Sequence, residues 1–201
     1  MSETSPPLRD SVAAGIATLQ SLVELEQPIN AAAEALARCL CAGHKLLVCG
    51  NGGSAADAAH FATEFVVRFT TDRPAFPAVC LTSDGGTLTA AGNDYGFDEI
   101  FARQVAAFGQ RGDVLLCLTT SGNSRNIQRA LEEAKTRGLS TIALLGRDGG
   151  ATAGMADIEL LVRSDSTARI QEAHMFLLHV LCEAIEERLA QHEPAPRKAN
   201  S

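Results

Sequence analysis

Five short apolar runs, most of them separated by stretches of helical periodicity, constrain this chain more than any other feature. They lie at Lys45–Cys49, Pro77–Leu81, Asp113–Leu118, Thr141–Leu145 and Ile158–Val162. A strand with one wet face alternates apolar and polar residues. A run that is apolar at nearly every position belongs to a strand covered on both sides. Helical stretches are predicted at about Ser54–Phe69, Asp98–Phe108, Ser124–Arg137 and, briefly, near Thr152–Met155. This alternation predicts an α/β fold: a five-stranded parallel sheet with helices on both faces, flavodoxin-like, in strand order 2-1-3-4-5.

Before the first strand, Val12, Ile16, Leu19, Leu22 and Val23 recur at helical spacing from about Leu8 to Glu26. Pro28 is expected to interrupt, with a second helix from about Asn30 to Ala42. This N-terminal hairpin, residues 1–43 of the same domain, is read as an oligomerisation surface, because its apolar face needs cover. Residues 44–190 form the sheet domain, closed by a long helix from about Ala168 to Ala190. The tail at 191–201, polar and proline-containing, is expected to be disordered.

Charge narrows the partners. The net charge is -7 and the pI is near 5.2. A general nucleic-acid binder needs a basic footprint, so none is expected. Aromatic residues make up 4% of the chain, too few for a base-stacking surface. No apolar run is long enough for a membrane span, and the polar N-terminus lacks a signal region. The six cysteines include no CxxC pair and read as buried, reduced thiols. A cytoplasmic location is expected.

Two turns carry the chemistry. Gly50-Asn51-Gly52-Gly53-Ser54 ends the first strand, Thr119-Thr120-Ser121-Gly122-Asn123-Ser124 ends the third, and each feeds a helix. Glycine lets the backbone approach a ligand, and the free N–H groups of a helical first turn attract an anion. Ser54 and Ser124 could equally be simple N-caps. In the expected strand order both turns border one crevice, which favours a bound phosphate. Gly50-x-Gly52-x-x-Ala55 fits a dinucleotide fingerprint, but the acid expected about 20 residues on is missing, and no P-loop ending is present. A sugar monophosphate fits better than a nucleotide.

On the helix after Ser54, Asp57, His60, Glu64 and Arg68 form one polar stripe. This is either a solvated face or the wall of a site. His60 and Glu64 at i,i+4 can share a metal ion. Gln171 and His179 on the last helix stand about 12 Å apart along its axis, only just near enough to meet on one ion; the alternative is that one of them serves a neighbouring subunit's site.

Taken in order, Cys49-Gly50-Asn51-Gly52-Gly53-Ser54, His60-Phe61-x-x-Glu64, Gly92-Asn93-Asp94, Thr120-Ser121-Gly122-Asn123-Ser124, and Arg169-Ile170-Gln171-Glu172 with His179 resemble the phosphoheptose isomerases, within the SIS sugar-phosphate domains. The resemblance covers nearly the whole chain. It implies conversion of sedoheptulose 7-phosphate to D-glycero-D-manno-heptose 7-phosphate, a step toward lipopolysaccharide heptose, by a homotetramer with one zinc per subunit. It implies His60, Glu64, Gln171 and His179 as zinc ligands and Glu64 with His179 as the acid–base pair. Substrate contacts would come from Asn51, Gly52, Gly53, Ser54, Glu64, Arg68, Asn93, Asp94, Thr119, Thr120, Ser121, Ser124 and Gln171. Two positions depart from the pattern: Thr119 replaces a common Ser, and Ala168 stands where some members have Asp.

One relative of that family binds the replication initiator DnaA instead of catalysing a reaction, and the Asn123–Asn126 stretch and Ala168 resemble it. It lacks the Glu and the second His, which this chain keeps as Glu64 and His179. A sugar-phosphate sensor is a third reading.

Overall fold

The structure, a computed structural model, describes residues 7–191. The expected disordered tail lies outside them, apart from Gln191. Five parallel strands, β1 (Leu46–Gly50), β2 (Ala78–Cys80), β3 (Val114–Thr119), β4 (Ser140–Gly146) and β5 (Ile158–Val162), form one sheet in the order β2-β1-β3-β4-β5. The expected flavodoxin-like order is therefore present. β1 and β3 pair in register from Leu46 with Val114 to Gly50 with Leu118, which brings the two glycine–serine turns side by side.

Among the described residues seven α-helices surround the sheet: α1 (Pro7–Ser21), α2 (Glu26–Cys41), α3 (Gly53–Val66), α4 (Gly85–Tyr95), α5 (Ala102–Phe108), α6 (Arg125–Arg137) and α7 (Thr167–Gln191). The twofold side-chain alternation of the strands divides the core. Leu46, Val48, Leu116 and Leu144 pack with Phe61 and Phe65 of α3, Leu36 of α2 and Leu178 of α7. Leu47, Cys49, Leu115 and Cys117 face the other way, onto Ile100, Val105, Ile127 and Leu131. Thus α3 and α6, which follow β1 and β3, leave on opposite faces and open a crevice between them.

Several boundaries differ from expectation. Pro28 does not interrupt; it sits in the first turn of α2, where a missing N–H breaks no intrahelical bond. The break is a 3-10 turn at Leu22–Leu25, and the helices on either side of it both lie against α7. α4 has no counterpart in the sequence reading, because its Gly-, Thr- and Asn-rich segment carries weak helical propensity. Asp84 caps it, accepting from Gly86 N at 3.0 Å. The helix expected from Asp98 is divided, with a 3-10 turn at Phe97–Glu99 before α5. No helix among the described residues is long and apolar enough to cross a membrane.

Candidate active site

The first turn is shaped by close approach. At Gly50 a Cβ would lie 2.5 Å from the Ser54 carbonyl oxygen, and at Gly53 it would lie 2.0 Å from Nε2 of Gln171. The α7 amide therefore rests directly on the start of α3. Ser54 is buried and lies within the first turn, and Ser124 occupies the N-cap position of α6. Neither makes a side-chain capping bond. The simple N-cap reading is not what the geometry shows.

The second turn is braced from behind. Gly122, with φ +64°, touches the loop after β4 so closely that a Cβ would meet the Gly149 oxygen at 2.0 Å. Its carbonyl accepts from Thr152 N and Thr152 Oγ1 at 2.9 and 2.7 Å. Thr119 is buried, and its hydroxyl accepts from Gly122 N at 3.1 Å. That hydroxyl is thus engaged in holding the turn. Ser121 Oγ similarly accepts from Asn123 N at 3.1 Å, whereas Thr120 makes no side-chain bond among the described residues.

Sequence reading missed the clasp between the turns. Asn51 and the buried Asn126 exchange side-chain bonds of 2.9 and 3.0 Å. Two amides satisfy each other's donor and acceptor, fixing the mouth of the crevice. The signal available was an Asn two residues past an N-cap Ser, which local patterning cannot pair with a residue 75 positions away.

Farther along α3, His60 Nε2 lies 3.0 Å from His179 Nε2 and 3.4 Å from Glu64 Oε1. The imidazoles meet edge to face, and Phe69 stacks on His179. Gly53 with Gln171 and His60 with His179 are two contacts between α3 and α7, seven and eight residues apart on the respective helices. The helices therefore run side by side in the same direction. By helical rise the Glu64 backbone lies about 15 Å along α3 from Ser54, and its side chain leans back toward the first turn, shortening the span a sugar phosphate has to cover.

Three of the four expected ligands therefore meet, and Gln171 does not join them. Its amide lies at the opening turn of α3, because two helical turns separate it from His179. Among the described residues, no three His, Cys, Asp or Glu side chains already form a metal-holding group. The donors present do suit zinc: two imidazole nitrogens face each other with a carboxylate beside them.

Arg68 is displaced from the expected stripe. α3 ends at Val66, and Val67 leaves helical geometry at ψ -89°, so Arg68 is exposed and, among the described residues, bonds to the Phe69 carbonyl. Asn93 and Asp94 pair with each other at 2.7 Å near the end of α4. No hydrogen bond or ion pair among the described residues joins them to the Glu64 group. Asp57 has one buried carboxylate oxygen without a partner, and burial raises its pKa against the opposing pull of His60. On α7, His174 is fully buried with Nε2 at 3.2 Å from the Leu145 carbonyl, and burial holds its pKa down to about 4. It is a neutral core residue.

The SIS domain family model matches residues 12–146. The chain is 48% identical to the phosphoheptose isomerase of Shewanella loihica, over 90% of this chain and 94% of that protein. It is 54% identical to the phosphoheptose isomerase of Geobacter sulfurreducens, over 88% and 94%. The solved phosphoheptose isomerase of Neisseria gonorrhoeae superposes with a TM-score of 0.83 at 46% identity, covering 90% of this chain and 99% of that one.

Proposed function

Because the chain belongs to the phosphoheptose isomerases of the SIS-domain family, we propose that Glu64 and His179 carry the proton transfers by which it converts sedoheptulose 7-phosphate to D-glycero-D-manno-heptose 7-phosphate. The protein is a sugar-phosphate isomerase. The observation that carries the residue assignment is the meeting of Glu64 and His179 at His60, on the helix that begins at the glycine–serine turn.

The phosphate docks on the Gly52–Ser54 and Thr120–Ser124 turns, where backbone N–H groups and the Ser54 and Ser124 hydroxyls donate. The carbonyl end then lies beside Glu64. Glu64 takes a proton from the carbon next to the carbonyl, and an enediolate forms. The same carboxyl returns the proton to the neighbouring carbon, which turns the ketose into an aldose. His179 protonates the old carbonyl oxygen and accepts the proton from the adjacent hydroxyl, so no net proton is lost. His60 fixes the His179 ring through the 3.0 Å contact.

One zinc per subunit is proposed, with His60, Glu64 and His179 as its donors; Gln171, packed on Gly53, would have to swing away from the start of α3 to join them. When bound it would supply Lewis-acid stabilisation of the negative oxygen. A homotetramer is proposed from the exposed apolar stripe on α1, formed by Leu8, Val12, Ile16 and Leu19 and continued by Val23. A cytoplasmic role in lipopolysaccharide heptose supply accords with the sugar-phosphate substrate. No observation favours the initiator-binding alternative. The test is conversion of sedoheptulose 7-phosphate by purified protein, followed by NMR. Absence of an aldoheptose product would refute the proposal.

A further inference from the structure

Glu64 and His179 belong to different helices, so their separation depends on how α3 is held against α7. Beyond the His60–His179 contact, a second tie exists farther along. Arg73, in the segment after α3, donates from Nη2 to the Glu64 carbonyl and from Nη1 to the Phe65 carbonyl at 3.2 Å. Those carbonyls are in the last turn of α3, where intrahelical partners run out. A guanidinium there also complements the negative end of the helix dipole.

Arg73 is itself held by α7. Its Nε lies 3.4 Å from Glu186 Oε1, and the two side chains are only 10% and 8% exposed. The other Glu186 oxygen accepts from Thr70 Oγ1, Thr70 N and Thr71 N, at 2.5, 3.3 and 3.2 Å. The Arg73 guanidinium also lies over the Phe76 ring, 5.1 Å from its centroid. Glu186 is seven residues after His179, so the tie lies about two turns down the same helix. One buried ion pair thus clamps the backbone of Glu64 to the helix carrying His179.

We infer that Arg73 and Glu186 are positioning residues for the isomerisation: they set the distance between the Glu64 carboxylate and His179 without touching substrate. The inference rests on the assignment of Glu64 as base. A purely architectural role would make the pair matter for stability alone. Replacing a buried ion pair by apolar residues of similar volume often leaves stability unchanged or raises it, whereas removing one partner strands a charge. That difference separates the two roles.

The experiment compares full-length wild type with Arg73→Met/Glu186→Leu, Arg73→Lys and Glu64→Gln, measuring Tm, kcat and KM on sedoheptulose 7-phosphate. The double variant is expected to keep its Tm within a few degrees while kcat falls on the order of tenfold to a hundredfold, the cost of a misplaced catalytic group, with KM nearly unchanged. Arg73→Lys keeps the charge, but a single compact ammonium lacks the planar fork whose three separate nitrogens face the two carbonyls and Glu186, so kcat falls there too. It decides the matter if the double variant does not fold. A kcat within about twofold of wild type in a folded latch variant, or a change in KM alone, overturns the inference. If Glu64→Gln itself retains full turnover, the assignment of the base has failed instead, independently of the latch.

Discussion

His60 Nε2 and His179 Nε2 lie 3.0 Å apart although 119 residues separate them in the chain. At that distance one ring nitrogen donates its proton to the lone pair of the other, or both lone pairs face a common cation. Either arrangement fixes the His179 ring, and the stacked Phe69 ring restricts it further.

Glu64→Gln keeps the shape of the side chain and removes the base. Turnover should fall on the order of a hundredfold to ten-thousandfold, with KM changed far less. His179→Gln should fall comparably, and the double variant should be little worse than either single one. Product formation followed by NMR decides it; simple additivity of the two losses would show that they do not act as a unit.

Metal content tests the proposed zinc apart from activity. Protein dialysed against zinc and then against buffer should retain about one ion per subunit, by the donor chemistry of the site. His60→Ala and His179→Ala should retain markedly less. Equal retention in all three proteins would remove these histidines from the ligand set.

Two glycines with the same clash distance should respond oppositely to alanine. At Gly53 the Cβ would meet Gln171 Nε2 at 2.0 Å, the free end of a flexible side chain. Gly53→Ala should therefore fold with a Tm near wild type while displacing Gln171 and lowering kcat/KM. At Gly122 the Cβ would meet the Gly149 carbonyl oxygen at 2.0 Å, and φ is +64°. Backbone must move there, so Gly122→Ala should lose stability, on the order of 1–3 kcal/mol for the strained conformation alone. Calorimetry and steady-state kinetics on both variants check the contrast; a destabilised Gly53→Ala beside an intact Gly122→Ala would contradict it.

Acid should act on stability through His174. Its pKa falls from 6.5 to about 4 because burial disfavours the imidazolium. The unfolded chain takes up the proton first as pH drops, so this contribution is complete above pH 6.5 and is lost progressively down to about pH 4. At 1.36 kcal/mol per unit the loss is roughly 3 kcal/mol. His174→Gln removes the titration, and its urea midpoint should vary less between pH 7 and pH 4.5 than that of wild type. Parallel pH dependences would exclude His174 as the source.

Much of this protein was legible in its sequence because the determinants are local. Runs that are apolar at nearly every position call for a covered parallel sheet, and the three central strands β1, β3 and β4 are buried almost throughout. The glycine–serine turns and the polar stripe through His60 and Glu64 were equally plain. Tertiary structure alone decided the partnerships: the Asn51–Asn126 clasp, Gln171 resting on Gly53 instead of reaching His179, and Arg73 with Glu186 closing the end of α3. Periodicity states which face of a helix is buried, but not which residue a hundred positions away will meet it. That depends on the register at which two helices dock, which is set by the packing of the whole core.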